Sequence, residues 1–168
     1  TGLIGQTVNG GFTLKPQLCR LTKTPGPMIK AHIMPEALTR PSQGNGRFLE
    51  GGGEYQKSVP TSWYDRNLVS REGEEVLARY DDYGVSELRR LQLVSSGLGP
   101  AEDASTLATN YVAEANAYMR IVAPTDGPML RLFFLSILWR MSCSTMPPFA
   151  DISLTPLEEV TIRQALLT

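Results

Sequence analysis

Cys19 and His32 are the residues best placed to do chemistry, and they lie close together in the chain. Leu18-Cys19-Arg20-Leu21-Thr22 is followed, after a proline-containing turn, by Lys30-Ala31-His32-Ile33-Met34-Pro35-Glu36-Ala37-Leu38. A cysteine beside a tight turn, a histidine ending an extended segment and a proline opening a helix make the layout of a ββα metal finger. His32 is the single histidine and, with two cysteines in 168 residues, the chain cannot assemble a conventional zinc site or a multi-histidine centre from its own side chains. His32 is therefore the one imidazole able to act as a general base. The structural alternative is a histidine that fixes the turn by capping the next helix or bonding a backbone carbonyl. Other chemistries are poorly served: Gly51–Gly53 lacks the Lys and Ser/Thr of a phosphate-binding loop, no Gly-x-Gly-x-x-Gly opens a helix, and no serine sits in a nucleophile elbow. Asp81 and Asp82 are adjacent, so on a helix they point about 100° apart; they read as solvated surface rather than as co-ligands.

The stretch resembles the HNH, or His-Me finger, endonuclease-like proteins of bacteria and phages, whose pattern runs Leu-Cys-x-x-Cys, a turn, then Ser-His-Ile-Ile-Pro-x-x-Leu. The likeness continues through Trp63-Tyr64-Asp65-Arg66-Asn67-Leu68-Val69-Ser70-Arg71-Glu72-Gly73-Glu74, in the place of the group's Tyr-Asp segment and second Cys-x-x-Cys. It ends in Leu132-Phe133-Phe134-Leu135-Ser136-Ile137-Leu138-Trp139-Arg140, similar to a Phe-x-x-Ser-x-x-Trp-Arg helix. The resemblance implies four zinc-ligand positions, of which only Cys19 keeps its thiol; Thr22, Ser70 and Gly73 stand at the others. No structural metal is expected, and packing must hold the finger instead. It also implies His32 as catalytic base, with Mg²⁺ or Mn²⁺ needed only if cleavage survives. Ala31 stands where an acidic or imidazole ligand is usual, leaving Asp65, Glu72 or Glu74 as substitutes. The expectation is a degenerate HNH-like protein associated with DNA, its nuclease activity vestigial or non-standard. The alternative is a non-catalytic component binding a protein partner or a second copy of itself, in a phage or bacterial setting.

The charge distribution would allow an anionic partner, although dispersed charges are more often a solvated surface. Residues 1–50 carry Lys15, Arg20, Lys23, Lys30, Arg40 and Arg47 against Glu36 and Glu50, a net +4 within a chain of net charge −1. Arg20, Lys23, Lys30, Arg40 and Arg47 are the candidate nucleic-acid contacts; a dispersed solvated surface is the other reading. Trp63 and Tyr64 either stack on bases or anchor the preceding loop to the body. The longest apolar stretch, near Leu132–Leu138, is far shorter than the roughly 20 residues of a membrane-spanning helix. Widely separated cysteines argue against a disulfide framework, and a cytoplasmic location is expected. The start at Thr1 and an end within a helical pattern suggest a trimmed fragment.

The elements that must position these residues form an α+β, mostly helical fold. Its parts are an extended leader over 1–16, then one HNH-like domain with a ββα finger near 17–40, a glycine-rich hairpin or flexible loop over 41–60, and a helical body over 71–168 containing three or four helices. Leu77, Tyr80, Gly84, Leu88 and Leu91 recur at three- and four-residue steps, predicting a helix from about Arg71 to Leu93. Gly84 inside it marks a kink or a close helix crossing. A helix is expected over 104–115 and a strand over Tyr118–Val122. Asp126 should cap a buried central helix spanning Leu130–Met141, with Phe133, Phe134 and Trp139 as core. Thr155-Pro156-Leu157-Glu158 is a capping-box start for the last helix.

Overall fold

The computed structural model describes residues 17–39, 48–52, 55–59, 62–94, 110–115, 117–119 and 121–168. The expected leader over 1–16 lies outside them, as do Arg40, Arg47 and residues 104–109. The architecture is mixed α+β and mostly helical. In chain order it comprises β1 (Ala31–His32), α1 (Glu36–Thr39), β2 (Phe48–Gly52), β3 (Tyr55–Val59), β4 (Tyr64–Asp65), α2 (Arg71–Arg90), β5 (Asn110–Val112), β6 (Ala117–Met119), α3 (Gly127–Cys143) and α4 (Pro156–Leu166). The strands pair antiparallel as β1 with β4, β2 with β3 and β5 with β6. Within the segment expected as a hairpin or loop, β2 and β3 form a hairpin ladder from Phe48 opposite Val59 to Gly52 opposite Tyr55.

α2 starts where Ser70 accepts a hydrogen bond from the Gly73 amide, and its buried stripe includes Leu77, Tyr80, Gly84 and Leu88. The interior glycine has a packing cause: a Cβ on Gly84 would enter the Phe133 ring of α3, so that ring sits directly on the α2 backbone. α3 is capped by Asp126, whose side chain accepts from the Met129 amide. α4 opens with the full capping box, Thr155 and Glu158 each bonding the other's backbone amide. These local signals were sufficient because cap chemistry and helical period are properties of a few neighbouring residues.

Three expectations about these elements fail, the first being the strand over Tyr118–Val122: β6 is Ala117–Met119, and Ile121 and Val122 lie outside it. Residues 110–112 are a strand paired with β6, not the end of a helix. α3 is not apolar all round in use: Phe133 and Trp139 are fully buried, whereas Phe134 is 51 % and Leu138 37 % exposed. Gly127, Leu130, Arg131, Phe134, Leu135 and Leu138 line a shallow groove of about 420 Å³ on this outer side.

One continuous core runs from Cys19 and Leu21 through Ile33, Leu68, Leu77, Phe133 and Trp139 to Leu166. The amino-terminal segment is tied to it from several sides. Arg163 donates to the Leu21 carbonyl at 3.1 Å and Arg89 to the Ala37 carbonyl at 3.2 Å; within the helical body, Tyr80 closes α2 onto the Leu166 carbonyl at 2.9 Å.

Candidate functional site

The turn that carries Cys19 is built by backbone bonds. The Cys19 amide donates to the Thr24 carbonyl and the Lys23 amide to the Cys19 carbonyl, each at 2.9 Å. Lys23 adopts the left-handed region, φ 61°, which closes this turn. Leu18 bridges Pro25, but the second extended segment does not pair back on the first; Met28 bridges Ser70, and β1 pairs with β4, Ala31 opposite Asp65 and His32 opposite Tyr64. The partners of the histidine segment thus come from beyond the hairpin rather than from the cysteine turn.

This pairing brings Ser70 and the first turn of α2 onto Cys19. The Thr22 amide donates to the Cys19 Sγ at 3.4 Å, and the Ser70 hydroxyl accepts from the Gly73 amide at 3.4 Å. A Cβ on Gly73 would lie 2.8 Å from the Cys19 sulfur. Burial, the largest influence on the thiol, would raise its pKa, but hydrogen bonds from the side chains and backbone of Thr22 and Ser70 together outweigh it and hold Cys19 below the ordinary value. Cys143 shows the contrast: burial, reinforced by Glu159, pushes its thiol up to about 12. Cys19, Thr22, Ser70 and Gly73 therefore meet around one sulfur. As a zinc site they do not serve, since one thiolate and two hydroxyls replace four soft ligands and the fourth position has no side chain.

His32 is half-buried. Its ring meets Tyr64 edge-on with centroids 6.4 Å apart, and its backbone carbonyl accepts from Arg140 at 3.1 Å. Desolvation, then the nearby Lys30 cation, lower its pKa against the opposing pull of Glu36. A lowered pKa favours the unprotonated form a base needs, but of the carboxylates proposed beside it Asp65 and Glu72 are engaged elsewhere. Asp65 is buried and accepts from the Asn67 amide at 2.7 Å, the Ser144 hydroxyl at 3.0 Å and the Thr145 amide at 3.3 Å. Glu72 accepts from the Thr24 hydroxyl at 3.4 Å. Glu74 keeps one buried oxygen without a partner, and burial raises its pKa. Among the described residues no group of three or more His, Cys, Asp or Glu side chains is arranged to hold a metal ion. The residues do not suit a divalent ion at His32, and no step is assigned to one.

Arg140 was legible only as part of the helix pattern; its role was not. It is fully buried and forms a two-pronged pair with Asp81, 2.6 and 2.9 Å, while also donating to the Ser136 carbonyl and hydroxyl. Asp81 is thus not solvated surface. It pairs across 59 residues, a separation that no local pattern reveals.

Of the nominated cations, Arg20, Lys23 and Lys30 are exposed. Lys23 reaches Glu159 at 4.0 Å, so part of its charge is offset. Lys30 sits apart from that pair, with its ammonium 4.2 Å from the centre of the Tyr64 ring; Arg66, which charge counting over residues 1–50 missed, lies over the same ring at 5.6 Å. Trp63 packs edge-on against Phe149 at 5.7 Å, as an anchor for the loop before it would. Comparison with known proteins returned no matching family model, no matching curated protein and no matching solved structure.

Proposed function

We propose that this chain is a degenerate HNH-like protein that associates with nucleic acid and whose nuclease chemistry is vestigial. The observation that carries the reading is the convergence of Cys19, Thr22, Ser70 and Gly73 on a single sulfur. These are the four positions, two turns far apart in sequence, at which the resemblance puts zinc ligands. A chance likeness of short motifs gives no reason for them to meet. In this reading the cysteine turn and the histidine strand are what remains of the finger without its metal, and Arg20, Lys23, Lys30, Arg40 and Arg47 are the contacts to phosphate. Loss of cleavage follows from Ala31 beside His32 and from the commitment of Asp65 to three hydrogen bonds within the fold.

The test is cleavage of plasmid and single-stranded DNA with Mg²⁺, Mn²⁺ or Zn²⁺, comparing the natural protein with His32→Ala. Equal inactivity is expected. Cleavage that His32→Ala abolishes would restore the enzyme reading. A binding titration across salt then separates association from its rival, because phosphate contacts require log affinity to fall steeply with log salt. A flat response would favour the second reading, a protein-binding component, to which the exposed apolar side of α3 lends support.

A further inference from the structure

Four side chains share the outer face of the β1–β4 ladder. Ala31 stands opposite Asp65 and His32 opposite Tyr64, and the same register brings Lys30 opposite Arg66. Alternation along the strands puts Lys30, His32, Tyr64 and Arg66 on one side, while Ala31 and Asp65 are buried on the other. Like charges directly opposite one another destabilise a strand pair. Here two exposed cations approach one tyrosine ring, at 4.2 and 5.6 Å from its centre, and no ion pair among the described residues joins either to a carboxylate. Burial, then Lys30 and Arg140, lower the pKa of His32 on the same face, against the opposing pull of Glu36 and Asp81.

The backbone beneath this face is fixed. Arg140 holds the His32 carbonyl, the Ile33 amide donates to the Trp63 carbonyl at 3.0 Å, and Asp65 is locked by its three hydrogen bonds. Two exposed positive side chains over one ring, neither ion-paired to a carboxylate among the described residues, suit an external anion offering more than one oxygen.

We propose that Lys30 and Arg66, set against the Tyr64 ring, form a two-cation clamp for a backbone phosphate of DNA that reads charge and not base. The inference rests on the nucleic-acid reading above and adds Arg66 and Tyr64 to it. A phosphodiester presents two non-bridging oxygens, which the Arg66 fork and the Lys30 ammonium can share. Base stacking on Tyr64 is disfavoured because the Lys30 ammonium already covers the ring; the tyrosine serves as a spacer that orients the cations.

Fluorescence anisotropy with a labelled single strand, its duplex and an abasic strand of equal length, over a series of KCl concentrations, tests this. Lys30→Ala/Arg66→Ala should lower duplex affinity and reduce the slope of log affinity against log salt by about 0.9, the contribution of the one phosphate contact they share. Lys30→Arg/Arg66→Lys should keep the slope, which separates charge from any change in folding, and thermal melts of both variants should match the natural protein because both side chains are exposed. The abasic strand should bind as the natural one does. A natural protein with a steep slope that Lys30→Ala/Arg66→Ala leaves unchanged overturns the clamp alone. Markedly weaker abasic binding overturns its indifference to base. No salt-dependent binding by the natural protein overturns the clamp and the nucleic-acid reading together.

Discussion

Gly73→Ala should be destabilising in the natural protein and neutral or stabilising once Cys19 is shortened to alanine. Gly73 is the third residue of α2, where replacing glycine by alanine would ordinarily stabilise by roughly 0.5–1 kcal/mol through backbone entropy. The new Cβ would lie 2.8 Å from the Cys19 Sγ, roughly 1 Å inside the usual contact distance for heavy atoms. Cys19 is fully buried, and its sulfur also accepts the Thr22 amide, so it has little room to withdraw. Overpacking of this kind costs about 1–3 kcal/mol, which reverses the sign of the helix gain. Cys19→Ala alone should cost on the order of 1 kcal/mol for a lost buried atom and its residual cavity. In that background the Gly73→Ala methyl group enters the vacated volume, and only Val69, with its Cβ 3.0 Å from the new atom, must adjust. The coupling energy should therefore be about 1–3 kcal/mol in favour of the double variant. Urea denaturation of the four proteins, followed by tryptophan fluorescence, measures it, with buried Trp139 as one reporter. Equal effects of Gly73→Ala in both backgrounds would refute the reasoning, since the turn of Cys19 and the start of α2 would then not share one volume.

Arg140→Ala should destabilise by about 3–5 kcal/mol, the cost of leaving a partly buried charge and several acceptors unmatched, read as a lower midpoint in urea. Asp81→Asn should cost less, because it retains one acceptor for Arg140. Glu87 is held at about 2 by the bidentate side chain of Arg90 and the Thr125 amide. Its folded pKa lies below its unfolded one, so its contribution is present above about 4.5 and is lost as pH falls towards 2; Glu87→Gln should flatten the acid limb of a stability–pH curve over that window. Glu74 has the opposite sign, its pKa being raised by burial. Stability should fall as pH rises from its unfolded value through its folded one, and Glu74→Gln should remove that decline in thermal melts taken across the same series.

Legibility followed the distance over which each interaction acts. The α2 stripe of Leu77, Tyr80, Leu88 and Leu91 is buried as its spacing predicted, and the caps at Asp126 and Thr155 use only side chains within three residues. On α3, spacing could not separate Phe133 from Phe134, because an apolar run has no preferred side until a partner is placed against it. Gly84 selects Phe133 as the crossing point and leaves Phe134 outside. Asp81 was misread, and the bonding of Asp65 went unseen, for a related reason. Their partners, Ser144 and Arg140, lie 79 and 59 residues away, so a sequence scan sees an isolated carboxylate where the fold has a satisfied one. Arg66 was overlooked because charge was summed over the first 50 residues, whereas β4 returns it to Lys30.

The reach of Arg140 also sets an order of events during synthesis. It grips the His32 carbonyl from 108 residues further along, and Arg163 grips the Leu21 carbonyl from 142 residues further along. A ribosome delivers the Cys19–Thr39 segment well before these anchors. The earliest part of the described chain to be made is thus among the last to be held in place, and a nascent chain stopped before α3 would carry His32 without the contact that fixes its strand.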